Sequence, residues 1–147
     1  MSDKAERLGR LLAIRRLSEE LDRRSLQLAL ASVAEVEDAL TRQATAIEEA
    51  SAEGRSALAE GDRDGWLMAD AQSEVAGWNR GRLGGLLEAR SEEVAPAMEK
   101  FLESRREHEQ VKLLIDAAEQ AAKGEEDHRA QAAADDWFLS KRTRQAG

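Results

Sequence analysis

Cysteine and tyrosine are absent from this chain, and proline occurs once. Without cysteine, a disulfide framework and a thiolate metal site are both impossible, and a reducing compartment is compatible. The longest uncharged segment near the N-terminus, Ser25–Ala34, is far shorter than the roughly 20 residues that span a bilayer. The N-terminus is charged from Asp3 onward, so no signal peptide is visible. We therefore expect a cytoplasmic protein without direct membrane insertion.

Sequence motifs for chemistry are also missing. The chain has no phosphate-binding loop, dinucleotide fingerprint, zinc-protease helix or nucleophile elbow. The two histidines, His108 and His128, are too far apart for a metal-site spacing. We therefore expect no enzyme, with no catalytic residue, no metal and no cofactor. His108 is interpreted as a polar residue that sets the register of a helix seam, and His108→Leu is expected to be neutral or stabilising.

Charge is spread unevenly along the chain. The net charge is −8, but residues 1–25 carry a net +2 and residues 137–147 a net +3, so the middle is strongly acidic. Two mildly basic ends around an acidic body argue against general nucleic-acid binding.

What the chain has in abundance is helix-forming residues. Ala, Glu, Leu, Arg and Lys make up well over half of it. In the C-terminal half, residues spaced alternately three and four apart form a heptad seam that needs a partner strip of similar length. Its members are Leu87, Arg90, Val94, Ala97, Phe101, Ser104, His108, Val111, Ile115, Ala118 and Ala122.

The N-terminal half supplies a candidate partner strip in two parts. The first part is a stripe of apolar residues: Leu8, Leu11, Leu12, Ile14, Leu17 and Leu21. The second part has regular heptad spacing: Leu26, Leu30, Val33, Glu37, Leu40, Ala44 and Ile47. The change of spacing predicts a stutter near Arg23–Ser25, and helical character is expected to fade after Ala52.

A cluster of glycine and aspartate between Gly54 and Gly65 separates the two halves. It predicts a turn at about 61–65, with helix one at about 4–60 and helix two at about 64–142. The predicted fold class is all-α: a single domain, 1–147, forming a long antiparallel two-helix coiled-coil hairpin, a rod. The four glycines within Gly77–Gly85 are interpreted as a flexible joint rather than a close approach of another backbone, and residues 141–147 are expected to fray.

The segment Asp135–Leu139 carries three bulky apolar residues in a row, Trp137, Phe138 and Leu139. They cannot all face one partner helix. Two interpretations stay open: either some of them are exposed and anchor another protein, or Trp137 folds onto helix one against Leu8 and Leu11.

Three stretches resemble the stalk proteins of type III export systems, the flagellar FliJ family and its injectisome counterpart, the YscO family. The first is the N-terminal stretch Leu8–Arg16, and the second is the tip, Gly65–Met68. The third is the C-terminal stretch that begins with Glu109–Leu114 and ends with Asp135–Leu139. The chain departs from the family pattern in lacking Tyr and Phe near the tip.

The resemblance implies a non-enzymatic stalk, similar to the central shaft of rotary ATP synthases. Its paired termini would enter a hexameric export ATPase and promote its activity. Its tip would reach the cytoplasmic domain of an export-gate membrane protein at the inner membrane, and export chaperones would be further partners. The resemblance maps ATPase binding to Arg7, Arg10, Leu11, Arg15, Trp137, Phe138, Leu139 and Arg142. It maps gate binding to Trp66, Met68 and Trp78.

The alternative is a plain coiled-coil scaffold or dimerising adaptor without a motor partner. In that case the hairpin would open and its heptads would pair between chains, with Glu37, Ser104 and His108 setting the register. The sequence does not distinguish flagellar from injectisome systems.

Overall fold

The computed structural model describes residues 3–146, and these form two α-helices. Helix α1 spans Asp3–Glu60 and helix α2 spans Arg63–Ala146. The two helices pack against each other, and no strand is present within 3–146, which confirms the all-α helical hairpin. Helix α1 does not fade after Ala52, and α2 extends four residues beyond the expected end at 142. The final residue of the segment expected to fray, Gly147, lies outside the described residues.

The chain divides into two compact units, which are described separately. The turn unit is Leu21–Leu102 and contains the connection between the helices. The terminal unit combines Met1–Glu20 with Glu103–Gly147.

The turn between the helices consists of Gly61 and Asp62 alone. The Gly61 N–H donates to the carbonyl of Leu58 at 3.2 Å, and the Asp62 N–H donates to that of Ala57 at 2.8 Å. With Gly61 at φ 72°, this is the Schellman arrangement that ends an α-helix and satisfies its last carbonyls. Gly is suited to that left-handed conformation because it has no Cβ.

Asp62 also starts the second helix. Its Oδ1 accepts the N–H of Gly65 at 3.0 Å, and its carbonyl accepts the N–H of Trp66 at 3.1 Å. Asp62 is therefore the N-cap of α2, with Gly65 at the third helical position. A Cβ at Gly65 would clash with Asp62 Oδ2 and lie 3.3 Å from the Cβ of Ala57, so a side chain at this position would displace the capping carboxylate.

The predicted seam of α2 is covered by α1 with two exceptions. In the turn unit the covered members are Leu87, Val94, Ala97 and Phe101, and in the terminal unit they are Ser104, His108, Val111, Ile115 and Ala118. Arg90 and Ala122 are exposed instead.

Seven of the thirteen residues predicted for the α1 strip are covered, and the other six are exposed. Ile14, Leu17 and Leu21 are each more than half exposed, and Leu30, Glu37 and Ala44 are exposed as well. The covered residues of the terminal unit include Leu8, Leu12, Arg15 and Glu19. Those of the turn unit include Asp22, Leu26, Ala29, Val33, Val36, Leu40, Gln43, Ile47, Ala50, Gly54 and Ala57. Along α1 these positions alternate steps of four and three throughout, so there is no stutter at Arg23–Ser25.

The facing helix explains why the apolar stripe was misleading. A stutter in α1 would need a matching change in the residues that face it. Helix α2 keeps an unbroken heptad seam through Phe101, Ser104 and His108. Helix α1 therefore keeps the same period, even though this brings Arg15, Glu19 and Asp22 into the seam and leaves larger apolar side chains outside.

The four glycines of Gly77–Gly85 do not interrupt α2. A Cβ built on any of Gly77, Gly81, Gly84 or Gly85 meets nothing within 4 Å, so no other backbone approaches them closely. The interpretation as a flexible joint stays a prediction. The helix also continues through Pro96.

Alanine substitutions at Gly61 and Gly81 should have opposite effects on stability. Gly61→Ala places a side chain in the left-handed region and should lower the free energy of unfolding by about 1 kcal/mol. Gly81→Ala adds a Cβ to open space within a helix and should raise it by about 1 kcal/mol. Urea unfolding followed by circular dichroism measures both, and a stabilising Gly61→Ala would contradict the assigned turn.

Candidate functional site: a polar seam and two sets of exposed aromatic side chains

The seam of the terminal unit contains two polar side-chain pairs between the two helices. Arg15 Nη1 of α1 donates to Glu107 Oε2 of α2 at 2.8 Å. One turn further along α1, Glu19 Oε2 is hydrogen-bonded by His108 Nδ1. The side chains of Glu19 and His108 are only 11% and 13% exposed, so this second pair is largely withdrawn from water. Such a pair stabilises a fold only if both partners remain, because either one alone would be a buried polar group.

His108 is therefore not the isolated polar residue that the sequence indicated. Its Nδ1 N–H is bound by Glu19, while its Nε2 is buried and has no hydrogen-bond partner among residues 3–146. The expectation that His108→Leu is neutral or stabilising has to be corrected, because the substitution would remove a partner of the buried Glu19 carboxylate.

The turn unit has polar contacts of its own between the helices, and these are weaker. Lys100 Nζ of α2 lies 3.8 Å from Asp22 Oδ1 of α1, but the lysine side chain is largely exposed. The guanidinium carbon of Arg23 lies 5.6 Å from the centre of the Phe101 ring, within the range of a cation–π contact. Phe101 is half-buried. Through these contacts Asp22 and Arg23 of α1 pack against α2, which indicates that they help to hold the two helices together.

Removing one or both members of the Glu19–His108 pair should have different consequences. His108→Leu leaves Glu19 buried without this partner and should destabilise the hairpin by roughly 3 kcal/mol. Adding Glu19→Leu to the same chain should recover most of that loss, because two apolar side chains then meet in the seam. Chemical denaturation of wild type, both single variants and the double variant gives the coupling energy.

A coupling energy near zero would mean that the pair contributes nothing specific to the hairpin. Arg15→Leu serves as the comparison, because its contact with Glu107 is more exposed. Arg15→Leu should lower the free energy of unfolding by less than His108→Leu does, because the Glu107 side chain that it leaves behind is partly hydrated.

The second feature is the part of α2 that extends beyond the paired seam. The last covered side chain of α2 is Ala118, and every residue from Glu119 to Ala146 is exposed. We call this segment, Glu119–Ala146, the C-terminal extension. Trp137, nineteen residues beyond Ala118, lies roughly 28 Å further along the helix axis at 1.5 Å per residue.

The exposed aromatic residues of the extension contact one another and a lysine. Trp137 and Phe138 are 58% and 66% exposed, and their ring centres lie 5.4 Å apart in an edge-to-face arrangement. Lys141 Nζ lies 5.0 Å from the centre of the Trp137 ring. Of the two open interpretations, the structure supports exposure: Trp137 does not fold onto Leu8 and Leu11.

The other residues mapped to ATPase binding are distributed over the terminal unit. Arg7 and Arg10 are exposed on α1, Leu11 is half-buried, and Arg15 is held by Glu107. Leu139 and Arg142 are exposed on the C-terminal extension together with Trp137 and Phe138. These residues therefore form two groups, one on the paired part of α1 and one on the extension.

The residues mapped to gate binding lie in the first turns of α2. Trp66 is 36% exposed, and its Cδ1 would lie 3.7 Å from a Cβ at Gly54 on α1, so one edge of the indole packs against the facing helix. Met68 and Trp78 are 64% and 73% exposed. Trp66 is thus partly a packing residue, whereas Met68 and Trp78 are free surface.

Within residues 3–146, no group of three or more histidine, aspartate or glutamate side chains is placed to hold a metal ion. In the same range, neither helix contains an apolar stretch long enough to cross a membrane. Comparison of the chain with protein-family models, with curated proteins and with solved structures finds no match in any of the three.

Sequence reasoning missed the polar members of the α1 seam, namely Arg15, Glu19 and Asp22. The signal that could have found them is the seam that begins at Leu26. Steps of seven backwards from Leu26 reach Glu19 and Leu12, and steps of seven backwards from Val36 reach Ala29, Asp22, Arg15 and Leu8. The second signal was charge, because Glu107 of α2 is opposite in sign to Arg15 and Lys100 of α2 is opposite in sign to Asp22.

Proposed function

We propose that the chain is a non-enzymatic stalk of a type III protein export apparatus, flagellar or injectisome, as its resemblance to the FliJ and YscO stalk proteins implies. In this role it would bind a hexameric export ATPase, promote its activity and link it to the export gate. Export chaperones would be further partners. The stalk would act in the cytoplasm, at the cytoplasmic face of the inner membrane.

The observation that carries the proposal is the C-terminal extension. It presents Trp137 and Phe138 to solvent next to the cationic residues Lys141, Arg142 and Arg144. Exposed aromatic and arginine side chains are the typical anchors of protein interfaces, and positive charge speeds the approach to an acidic partner. The exposed Arg7 and Arg10 of α1 would add to that charge.

The hairpin fold is compatible with a passive shaft. The polar side chains in its seam are used in pairs between the helices, as in Arg15 with Glu107 and Glu19 with His108. A shaft of this kind would change the activity of an ATPase by contact with a ring of subunits, without chemistry of its own.

Replacing both exposed aromatic residues should separate binding from folding. Trp137→Ala combined with Phe138→Ala should weaken binding to an export ATPase from the same source by about 30-fold or more and abolish its stimulation, since interface aromatics dominate binding energy. The free energy of unfolding should change by no more than about 0.5 kcal/mol, because both side chains are exposed. ATPase assays and chemical denaturation measure the two effects.

The matched control is Leu113→Ala combined with Leu114→Ala, which removes two exposed apolar side chains from the paired part of the same helix. This control should stimulate the ATPase like wild type. A double aromatic variant that still stimulates fully contradicts the proposal. If the wild-type chain neither binds nor stimulates the ATPase, the alternative of a scaffold without a motor partner takes its place.

The gate contact makes a separate prediction, because Trp66 and Trp78 differ in packing. Trp78→Ala should abolish binding to the cytoplasmic domain of an export gate while leaving stability within about 0.5 kcal/mol of wild type. Trp66→Ala should destabilise the hairpin by more than about 1 kcal/mol, because the indole packs against α1 at Gly54. Pull-down with the gate domain and thermal unfolding test this. Unchanged gate binding by Trp78→Ala would remove that residue from the contact.

A further inference from the structure

One face of the C-terminal extension carries an ordered series of side chains. Steps of three and four along the helix place on this face, in sequence, an acidic residue, two alanines, a tryptophan and two basic residues. They are Glu126, Ala130, Ala133, Trp137, Lys141 and Arg144, and we call this surface the extension face. All six are exposed.

The extension face has no partner within the described part of the chain. Glu126 and Arg144 make no ion pair among residues 3–146, and no helix of the chain covers Trp137. The extension lacks tertiary packing, and most helix stability in proteins comes from the packing of an apolar face. A face that combines a large aromatic side chain with alanines is therefore suited to a second helix.

The order of the residues makes this face complementary to itself in one direction. Consider an antiparallel pair of identical helices in which Trp137 of one copy lies opposite Ala133 of the other. This contact and a contact between Arg144 and Glu126 are both centred on position 135. Arg144 of one copy therefore lies opposite Glu126 of the other. The indole then meets a small residue, and each end of the pair joins opposite charges. In a parallel pair, Glu126 would meet Glu126 and Arg144 would meet Arg144, which is repulsive.

We propose that the extension face binds the same face of a second copy of this chain, antiparallel, with Trp137 packed against Ala133 and Ala130 of the other copy and Arg144 facing its Glu126. The pairing uses a surface outside the hairpin seam, so both hairpins stay closed in the dimer. The inference concerns the association of the chain with itself and does not rest on the proposed function.

Charge reversal provides the decisive test. The full chain should dimerise reversibly with a dissociation constant on the order of 10 µM, as expected for one short helix pair. Glu126→Lys and Arg144→Glu should each weaken self-association about tenfold, because each dimer contains the altered pair twice. An equimolar mixture of the two variants should associate like wild type, because every altered charge then meets its opposite. Sedimentation equilibrium measures all three.

Matched controls lie beside the altered residues. Glu125→Lys and Arg142→Glu make the same charge changes at nearby positions: Glu125 is turned about 100° around the helix from Glu126, and Arg142 about 160° from Arg144. These variants should dimerise within about twofold of wild type. Trp137→Ala should weaken association more than either charge reversal, while circular dichroism stays unchanged.

Three outcomes would overturn the inference. A wild-type chain that stays monomeric at about twenty times the expected dissociation constant has no such dimer. A dimer that is unaffected by Glu126→Lys and Trp137→Ala uses another surface. A mixture of the two charge-reversed variants that fails to associate excludes the antiparallel register.

Discussion

The structure depends on heptad packing between α1 and α2 within each of its two units. Each helix alone would expose a narrow strip of apolar side chains, and only the other helix covers it. In the terminal unit this packing brings Glu19 against His108, and in the turn unit it brings Gly54 against Trp66 and Ala69. The period of the seam is a stronger constraint than the hydrophobicity of any one side chain, because a single change of register would affect every later contact.

The polar seam shows the consequence of that constraint. Leu17 and Leu21 stay in water, while Glu19 and Asp22 are buried, an exchange that unfavourably desolvates two carboxylates. Contacts from the facing helix, including those from His108 and Lys100, compensate for part of that cost. Polar seam pairs favour one alignment, since a hairpin shifted by one turn would separate these partners and leave polar groups buried.

The C-terminal extension is different in kind, because nothing in the described chain covers it. Its helical conformation without a covering surface and the exposure of Trp137 and Phe138 both point to association with another surface. The two proposals for this segment, an export ATPase and a second copy of the chain, use overlapping residues. Trp137 is shared by both, whereas Glu126 and Ala133 belong to the self-association alone.

Several features were determined by the sequence itself. The heptads of α2 predicted its seam, the glycine–aspartate cluster predicted the turn, and a helix-forming composition with a single proline predicted two long helices. These are local patterns that need no knowledge of distant residues. The register of α1, the burial of Glu19 against His108 and the exposure of Trp137 were decided only by the tertiary structure. Each of these depends on which residue of one helix lies opposite a given residue of the other. A heptad pattern predicts which residues of a helix face its partner helix. Which residue of the partner each of them contacts depends on the packing of all layers of the two helices together.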